Sequence, residues 1–308
     1  MPDHSQASRL ADTASILRFH IVLIGVVACV VFGYLLTGTY VWEIALLAGV
    51  DWLLINLLNR ITDLTEDLAN GIRGTERVAK HRRAFIAGWV AIQIASFAVS
   101  VTLAPALTPW RVVVQLIGAA YSIPLVPTLS GLKRFKDLYF LKNFMSAVLF
   151  CLTGVAYPLV ATGIEPGLPG GYASVAALLL FFVPFELTYE IFYDLRDLEG
   201  DRLARVPTYP VVHGPARSEQ IIHALLALSA LALTTALALG LLGLREGLML
   251  LAPAVQLAFI HPRIRRGPTT RDCIVATHLG SALLVLFLIG TALWTAADLP
   301  ANIYLRAF

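Results

Sequence analysis

Two acidic stretches carry the side chains best suited to chemistry. One reads Asn56-Leu-Leu-Asn59-Arg-Ile-Thr-Asp63-Leu-Thr-Glu66-Asp67-Leu-Ala-Asn70. The other reads Glu186-Leu-Thr-Tyr189-Glu190-Ile-Phe-Tyr193-Asp194-Leu-Arg-Asp197-Leu-Glu-Gly-Asp201. At helical spacing, Asn56, Asn59, Asp63, Glu66, Asp67 and Asn70 share one arc of about 100°, and so do Glu186, Glu190, Tyr193, Asp194, Asp197 and Asp201. Any single carboxylate here is equally well explained as a wetted helix end paired to a nearby base. As sets they are not, because like charges on one face repel and Glu186 and Glu190 begin inside an apolar run, where an ionised carboxylate needs a cavity to face. A multivalent cation between the stripes relieves both problems. Carboxylate and amide oxygens without nearby His or Cys suit a hard ion, Mg²⁺ or Ca²⁺, and Mg²⁺ commonly joins one or two carboxylates to substrate phosphates. Arg73, Arg77 and Lys80 follow the first stripe, Lys133, Arg134, Lys136 and Lys142 lie in the next charged connection, and Arg202 and Arg205 follow the second stripe. Singly, each base reads as a membrane-surface contact; with the acids they suggest a metal-bridged polyphosphate.

The elements that must hold these stripes are apolar. Of 308 residues, 58% are hydrophobic and only 14% charged, with a mean hydropathy of +0.76, too little charge to cover a water-soluble body of this size. Nine runs approach the length that crosses a bilayer: Phe19 to Thr37, Tyr40 to Leu58, Ala84 to Leu103, Val112 to Val126, Phe144 to Ala161, Tyr172 to Phe192, Ile221 to Leu242, Leu248 to Ile260 and Ile274 to Trp294. The fourth and eighth are short and hold Pro124 and Pro253. The first run lacks a small-residue cleavage site and reads as a retained anchor. Nine passes put 20 of the 23 Lys and Arg residues on the N-terminal side and leave only Arg111, Arg245 and Arg306 opposite. By the positive-inside rule the N-terminus and both stripes are then cytoplasmic, and the C-terminus lies across the membrane. No linker divides the chain, so the expectation is a cytoplasmic segment over residues 1–18 and one integral domain over 19–308.

Other features add little. The net charge of +3 is spread in short pieces between apolar runs, so no basic face for nucleic acid exists. Cys29, Cys151 and Cys273 lie in apolar runs without a CxxC pair or a neighbouring His cluster, implying neither disulfides nor a zinc site. His213, His223, His261 and His278 are scattered and read as structural or interfacial. Glu43 and Asp51 lie off the polar stripe, with interhelical pairing the available explanation.

Asn59-x-x-x-Asp63-x-x-x-Asp67 and Asp194-x-x-Asp197-x-x-Gly200-Asp201 closely resemble the two aspartate-rich motifs of the UbiA superfamily of intramembrane prenyltransferases. The resemblance extends to the nine-helix count, to Tyr121-Ser-Ile-Pro followed by Leu132-Lys133-Arg134 and Asn143, and to Gly200-Asp201-Arg202 through His213-Gly214. It implies an all-α integral membrane bundle of nine transmembrane helices around a central cavity open to lipid, with two Mg²⁺ ions gripping the diphosphate of a prenyl donor. Carried over, Asn59, Asp63 and Asp67 hold one metal and Asp197 and Asp201 the other. Asp194 binds metal or orients the acceptor, and Lys133 and Arg134 hold the diphosphate, with Lys142, Arg73, Arg77 and Tyr193 as further candidates. Three departures stand out: Arg60 where many members have Asp, no Asn-x-Pro-x-Arg-Pro element downstream, and about seven extra residues between Tyr121-Ser-Ile-Pro and Lys133.

The implied chemistry is ionisation of an allylic C–O bond in a water-poor cavity, with Asp63 and Asp197 central to it. An aromatic, quinone-precursor or other lipophilic acceptor then attacks, and Asp194 or Glu190 takes up the proton. Some superfamily members cyclise the prenyl chain instead, using the same site. From another class, an ion-coupled transporter also places acids inside a bundle, but here both stripes lie at one face with no comparable set opposite. The expected partners are a prenyl diphosphate, a lipophilic acceptor and membrane lipid, without nucleic acid, and the bacterial inner membrane is the simplest location.

Overall fold

A computed structural model of the chain describes residues 4–305, so Arg306 of the charge tally lies outside the described residues, as does the Arg9 side chain. The elements in chain order are α1 (His4–Ile16), α2 (Phe19–Thr37), α3 (Trp42–Thr62), α4 (Leu64–Ala69), α5 (Thr75–Lys80), α6 (Arg82–Leu103) and α7 (Thr108–Ser122). A hairpin follows, β1 (Val126–Thr128) and β2 (Gly131–Lys133), antiparallel with Val126 opposite Lys133. Then come α8 (Leu141–Cys151), α9 (Tyr157–Thr162), α10 (Tyr172–Ala204), α11 (Tyr209–His213), α12 (Pro215–Ala238), α13 (Leu244–Gly247), α14 (Leu251–Arg266) and α15 (Thr270–Ala296). A π-helical turn, Leu152–Ala156, joins α8 to α9 as one pass, and a 3₁₀ turn, Leu248–Leu250, joins α13 to α14 as another.

Among the described residues eight passes are long and apolar enough to cross a membrane: α2, α3, α6, α8–α9, α10, α12, α13–α14 and α15. The ninth expected run is α7, whose 15 residues span about 22 Å, short of a hydrocarbon core of about 30 Å. It starts earlier and stops earlier than Val112 to Val126. Pro124 forbids a helical Ile123, which is extended at φ −122°, ψ 142°. The chain then turns into the hairpin, which takes up the extra residues before Lys133.

Large apolar side chains face outward as an integral membrane protein requires. Ile86, Val90, Ile94, Val101 and Leu103 are all exposed along α6, and Leu180, Leu231 and Leu293 along three other passes. The interior is packed from α2 and α3, where Ala28, Val31, Leu36, Ala45, Ala48 and Leu54 are buried. Helix α10 is 33 residues long, about 50 Å, so its last turns carry Asp194 to Asp201 beyond the hydrocarbon.

Arg111, counted from sequence on the sparse side, is fully buried. Its guanidinium donates to both Asp51 carboxylate oxygens at 2.9 and 2.7 Å and to the Ser96 carbonyl at 2.7 Å. Gln115 and the Tyr157 hydroxyl donate to the same carboxylate, both at 2.9 Å. This network ties α3, α6, α7 and α9 together and accounts for Asp51.

Candidate active site

The first motif sits where α3 gives way to α4. The chain bends at Asp63 (φ −97°, ψ 26°) while Asp63 N–H still donates to Asn59 O and Asp67 N–H to Asp63 O, each at 2.9 Å. Thr62 promotes the bend by turning its hydroxyl back onto the Leu58 and Asn59 carbonyls at 3.1 and 3.0 Å. The polar stripe is therefore kinked rather than straight. The kink lets Arg60 reach Asp67 at 2.7 Å, both nearly buried.

The bases that meet this motif come from the connection between α7 and α8. Lys136 Nζ lies 2.7 Å from Asp63 and 2.6 Å from Glu66, and Arg134 reaches Asp63 at 3.5 Å, Glu66 at 3.6 Å and its own loop's Asp137 at 2.7 Å. Burial pushes the Asp63 carboxyl above its usual range despite the pull of Lys136.

The second motif is held from α8. Lys142 Nζ bridges Asp194 at 2.6 Å and Asp201 at 3.1 Å, and Asn143 Nδ2 donates to Asp194 at 2.7 Å. Arg196 Nε donates to Asp197 at 2.7 Å. Tyr193 donates its hydroxyl to the Cys273 carbonyl at 3.1 Å, meets Thr277 at 2.8 Å, and carries the Arg196 guanidinium 4.9 Å above its ring.

The two motifs touch. A Cβ on Gly200 would fall 2.1 Å from Asn70 Oδ1 and 2.4 Å from its Cγ, so the Asn70 side chain of the α4 end lies against the bare Gly200 backbone of α10. Gly200→Val forces Asn70 aside and parts the motifs. We expect it to lower turnover at least about 10-fold, with the chain still inserted, by steady-state assay in detergent. Unchanged turnover would show that this contact does not set the motif spacing.

A cavity of about 440 Å³ runs inward from this end. Its polar mouth is lined by Arg18, Asn56, Asn59, Tyr121, Glu190 and Tyr193, and its depth by Phe32, Trp52, Phe150, Phe181, Met249 and Phe287. From Tyr193 to Phe181 on α10, or Thr277 to Gly290 on α15, the wall is about 20 Å long. Leu248, Leu251 and Leu286 line it and are also exposed, so it opens sideways to lipid where the α13–α14 pass meets α15. Glu186, deep in a pass, faces this cavity and accepts a hydrogen bond from Ser146 at 2.9 Å.

Asn59, Asp63 and Asp67 thus lie around the α3–α4 kink, and Asp194, Asp197 and Asp201 on the last turns of α10, against which α4 packs. Arg134 and Lys142 join them. The Lys133 backbone pairs in the hairpin opposite Val126. Arg73 and Arg77 turn toward α1, with Arg73 Nε on Asp12 at 2.5 Å and Arg77 Nη1 on Thr13 at 3.3 Å. Both are engaged by α1 rather than by the motif carboxylates, because the chain reverses at Gly71 and Gly74 (φ 61° and 86°) before α5 packs Val78 on Leu57 and Ile61. The sequence named Lys136 only within a basic run and Asn143 only within a motif, and assigned neither of them, nor Arg18, a role at the site. Lys136 lay in the same basic run as Arg134, and Arg18 immediately before the first apolar run, where its guanidinium now meets Asn56 at 3.4 Å.

The oxygen-rich donor set fits a hard cation. The Asn59 side-chain oxygen supports that fit: it is buried on the cavity side of the motif and has no hydrogen-bond partner among the described residues.

No curated protein matches the sequence. Among solved structures, the fold resembles a UbiA homologue from Archaeoglobus fulgidus bound to GPP and Mg²⁺, at 17% identity and a TM-score of 0.66, covering 92% of this chain and 99% of that one. It also resembles a digeranylgeranylglyceryl phosphate synthase, at 15% identity and 0.58 over 91% and 98%. A third likeness is the apo UbiA homologue from Aeropyrum pernix K1, at 14% identity and 0.57 over 91% and 98%. The model of the UbiA prenyltransferase family matches residues 53–284, a stretch that contains both acidic motifs, and the chain belongs to that family.

Proposed function

We propose that this chain ionises an isoprenoid diphosphate with the help of Mg²⁺ and passes the prenyl group to an aromatic, quinone-precursor or other lipophilic acceptor. The observation that carries this is the packing of α4 on α10, Asn70 against Gly200, with Asn59 of the first stripe and Glu190 and Tyr193 of the second lining the polar mouth of an apolar cavity. The GPP and Mg²⁺ of the Archaeoglobus homologue support the choice of donor and ion. Asn59, Asp63 and Asp67 would hold one ion and Asp197 and Asp201 a second. Bound there, the ions supply Lewis-acid neutralisation of the charge that builds on the departing diphosphate.

The chain's own residues do the rest. Arg134, Lys136 and Lys142, already beside the carboxylates, turn their charge to the diphosphate oxygens once the acids are otherwise engaged. The aromatic wall takes the isoprenoid tail and excludes water from the reacting carbon. Asp194, held by Lys142 and Asn143, would orient the acceptor or receive its proton. The N-terminal segment and the motif end face the cytoplasm, of a bacterial inner membrane in the simplest case, with residues 19–308 as one domain.

The test is to incubate the purified chain with Mg²⁺ and prenyl diphosphates of several lengths, with and without lipid extract, and weigh the products. A prenylated adduct with pyrophosphate release is the expected result. A terpene hydrocarbon or alcohol would assign cyclisation to the same site, and no Mg²⁺-dependent pyrophosphate at any length would refute the proposal.

A further inference from the structure

At the motif end of the bundle, but on its outer side, α12 and α14 bring together three side chains that the catalytic proposal does not use. Glu219 and His223 stand one turn apart on α12, and His261 comes from the last turns of α14. One donor atom from each lies within 4.8 Å of the others. Glu219 Oε1, His223 Nε2 and His261 Nδ1 are all closed to solvent, and none has a hydrogen-bond partner among the described residues.

An ordinary His–carboxylate pair does not explain this. His261 Nδ1 and Glu219 Oε1 are 3.0 Å apart, yet the oxygen lies off the ring's N–H direction and the contact is no hydrogen bond. Nor would such a pair engage His223, whose ring centre lies 5.3 Å from that of His261. Three lone-pair donors that converge without bonding one another are arranged for a common fourth atom. Two imidazoles and one carboxylate form a donor set for a transition ion rather than Mg²⁺, and His₂Glu is a recognised zinc set that leaves one position open.

We propose that Glu219, His223 and His261 form a binding site for a divalent transition-metal ion of the zinc type, which ties α12 to α14. The site is independent of the prenyl-transfer proposal. The three cysteines, each in an apolar run, play no part in it. Spacing alone could not reveal it, because His223 and His261 belong to different passes.

The probes are Zn²⁺ and Co²⁺ added to the full chain in detergent, in the wild type and in an Asp63→Asn/Asp197→Asn background that disables the acidic motifs. Both should bind Zn²⁺ and develop the visible d–d absorption of four-coordinate Co²⁺. His223→Gln and His261→Gln should each weaken Zn²⁺ binding at least about 100-fold and remove the Co²⁺ absorption. Glu219→Gln, which keeps the side chain's size but removes its charge and one acceptor oxygen, should weaken binding too and serves where a His variant fails to fold. Zn²⁺ binding that is equal in the wild type and these variants, or lost only in the Asp63/Asp197 background, overturns the proposal.

Discussion

Asp63→Ala and Asp197→Ala will each cut Mg²⁺-dependent pyrophosphate release at least about 100-fold while leaving the chain folded and inserted. The size follows from the role: taking one preorganised group from the charge balance of a departing anion typically costs 10²- to 10³-fold. Survival of the fold follows from the contacts. Without Asp63, Lys136 keeps Glu66 at 2.6 Å and Arg134 keeps Asp137 at 2.7 Å, so no base is left buried alone. Asp197 sits on the partly exposed side of α10, and its partner Arg196 still has the Tyr193 ring beneath it. The two variants separate the motifs, since one acts at the α3–α4 kink and the other near the end of α10. Pyrophosphate release is measured against membrane-fraction yield and melting midpoint. Full release by both variants at normal yield would remove the metal-diphosphate reading, whereas loss in only one would confine catalysis to a single motif.

Why the acids were legible in the sequence and only some of the bases were comes down to locality. Asn59, Asp63 and Asp67, like Asp194, Asp197 and Asp201, take their common face from helical periodicity, which a sequence carries directly. Apart from Lys142 on α8, the bases come from the segments between passes, where spacing says nothing about direction. Arg73 and Arg77 look equivalent to Lys136 on paper, yet the turns at Gly71 and Gly74 send them to α1, while Phe135 to Asp137 form a short 3₁₀ turn that points Lys136 at Asp63. Apolar runs located the passes well where they were long. Length also explains the weakest case, α7, whose start at Thr108 includes the polar Arg111 that a hydropathy count discards and that tertiary pairing with Asp51 makes acceptable. The Glu219, His223 and His261 cluster was invisible for the same reason as that pair, since each depends on which helices become neighbours.

The Asp51–Arg111 pair should be the most sensitive point in the scaffold. Both side chains are wholly buried at 2.7 Å, so removing either leaves the other charge unpaired in a low-dielectric interior, a loss of about 3–5 kcal/mol. Asp51→Asn and Arg111→Met should each show it in denaturant or thermal unfolding in detergent. Asp51→Leu/Arg111→Met should recover at least half of the loss, because no net charge then remains buried. Recovery stays incomplete because Gln115, Tyr157 and Ser96 lose polar partners. Asp51 lies twelve residues before Asp63 on α3, about 18 Å along its axis, so the molecules that fold should keep their turnover. Single variants costing less than about 1 kcal/mol would mean that water or lipid headgroups screen the pair as at a surface. A double variant worse than the sum of the singles would mean instead that the polar partners, rather than the ion pair, hold α3, α7 and α9 in place.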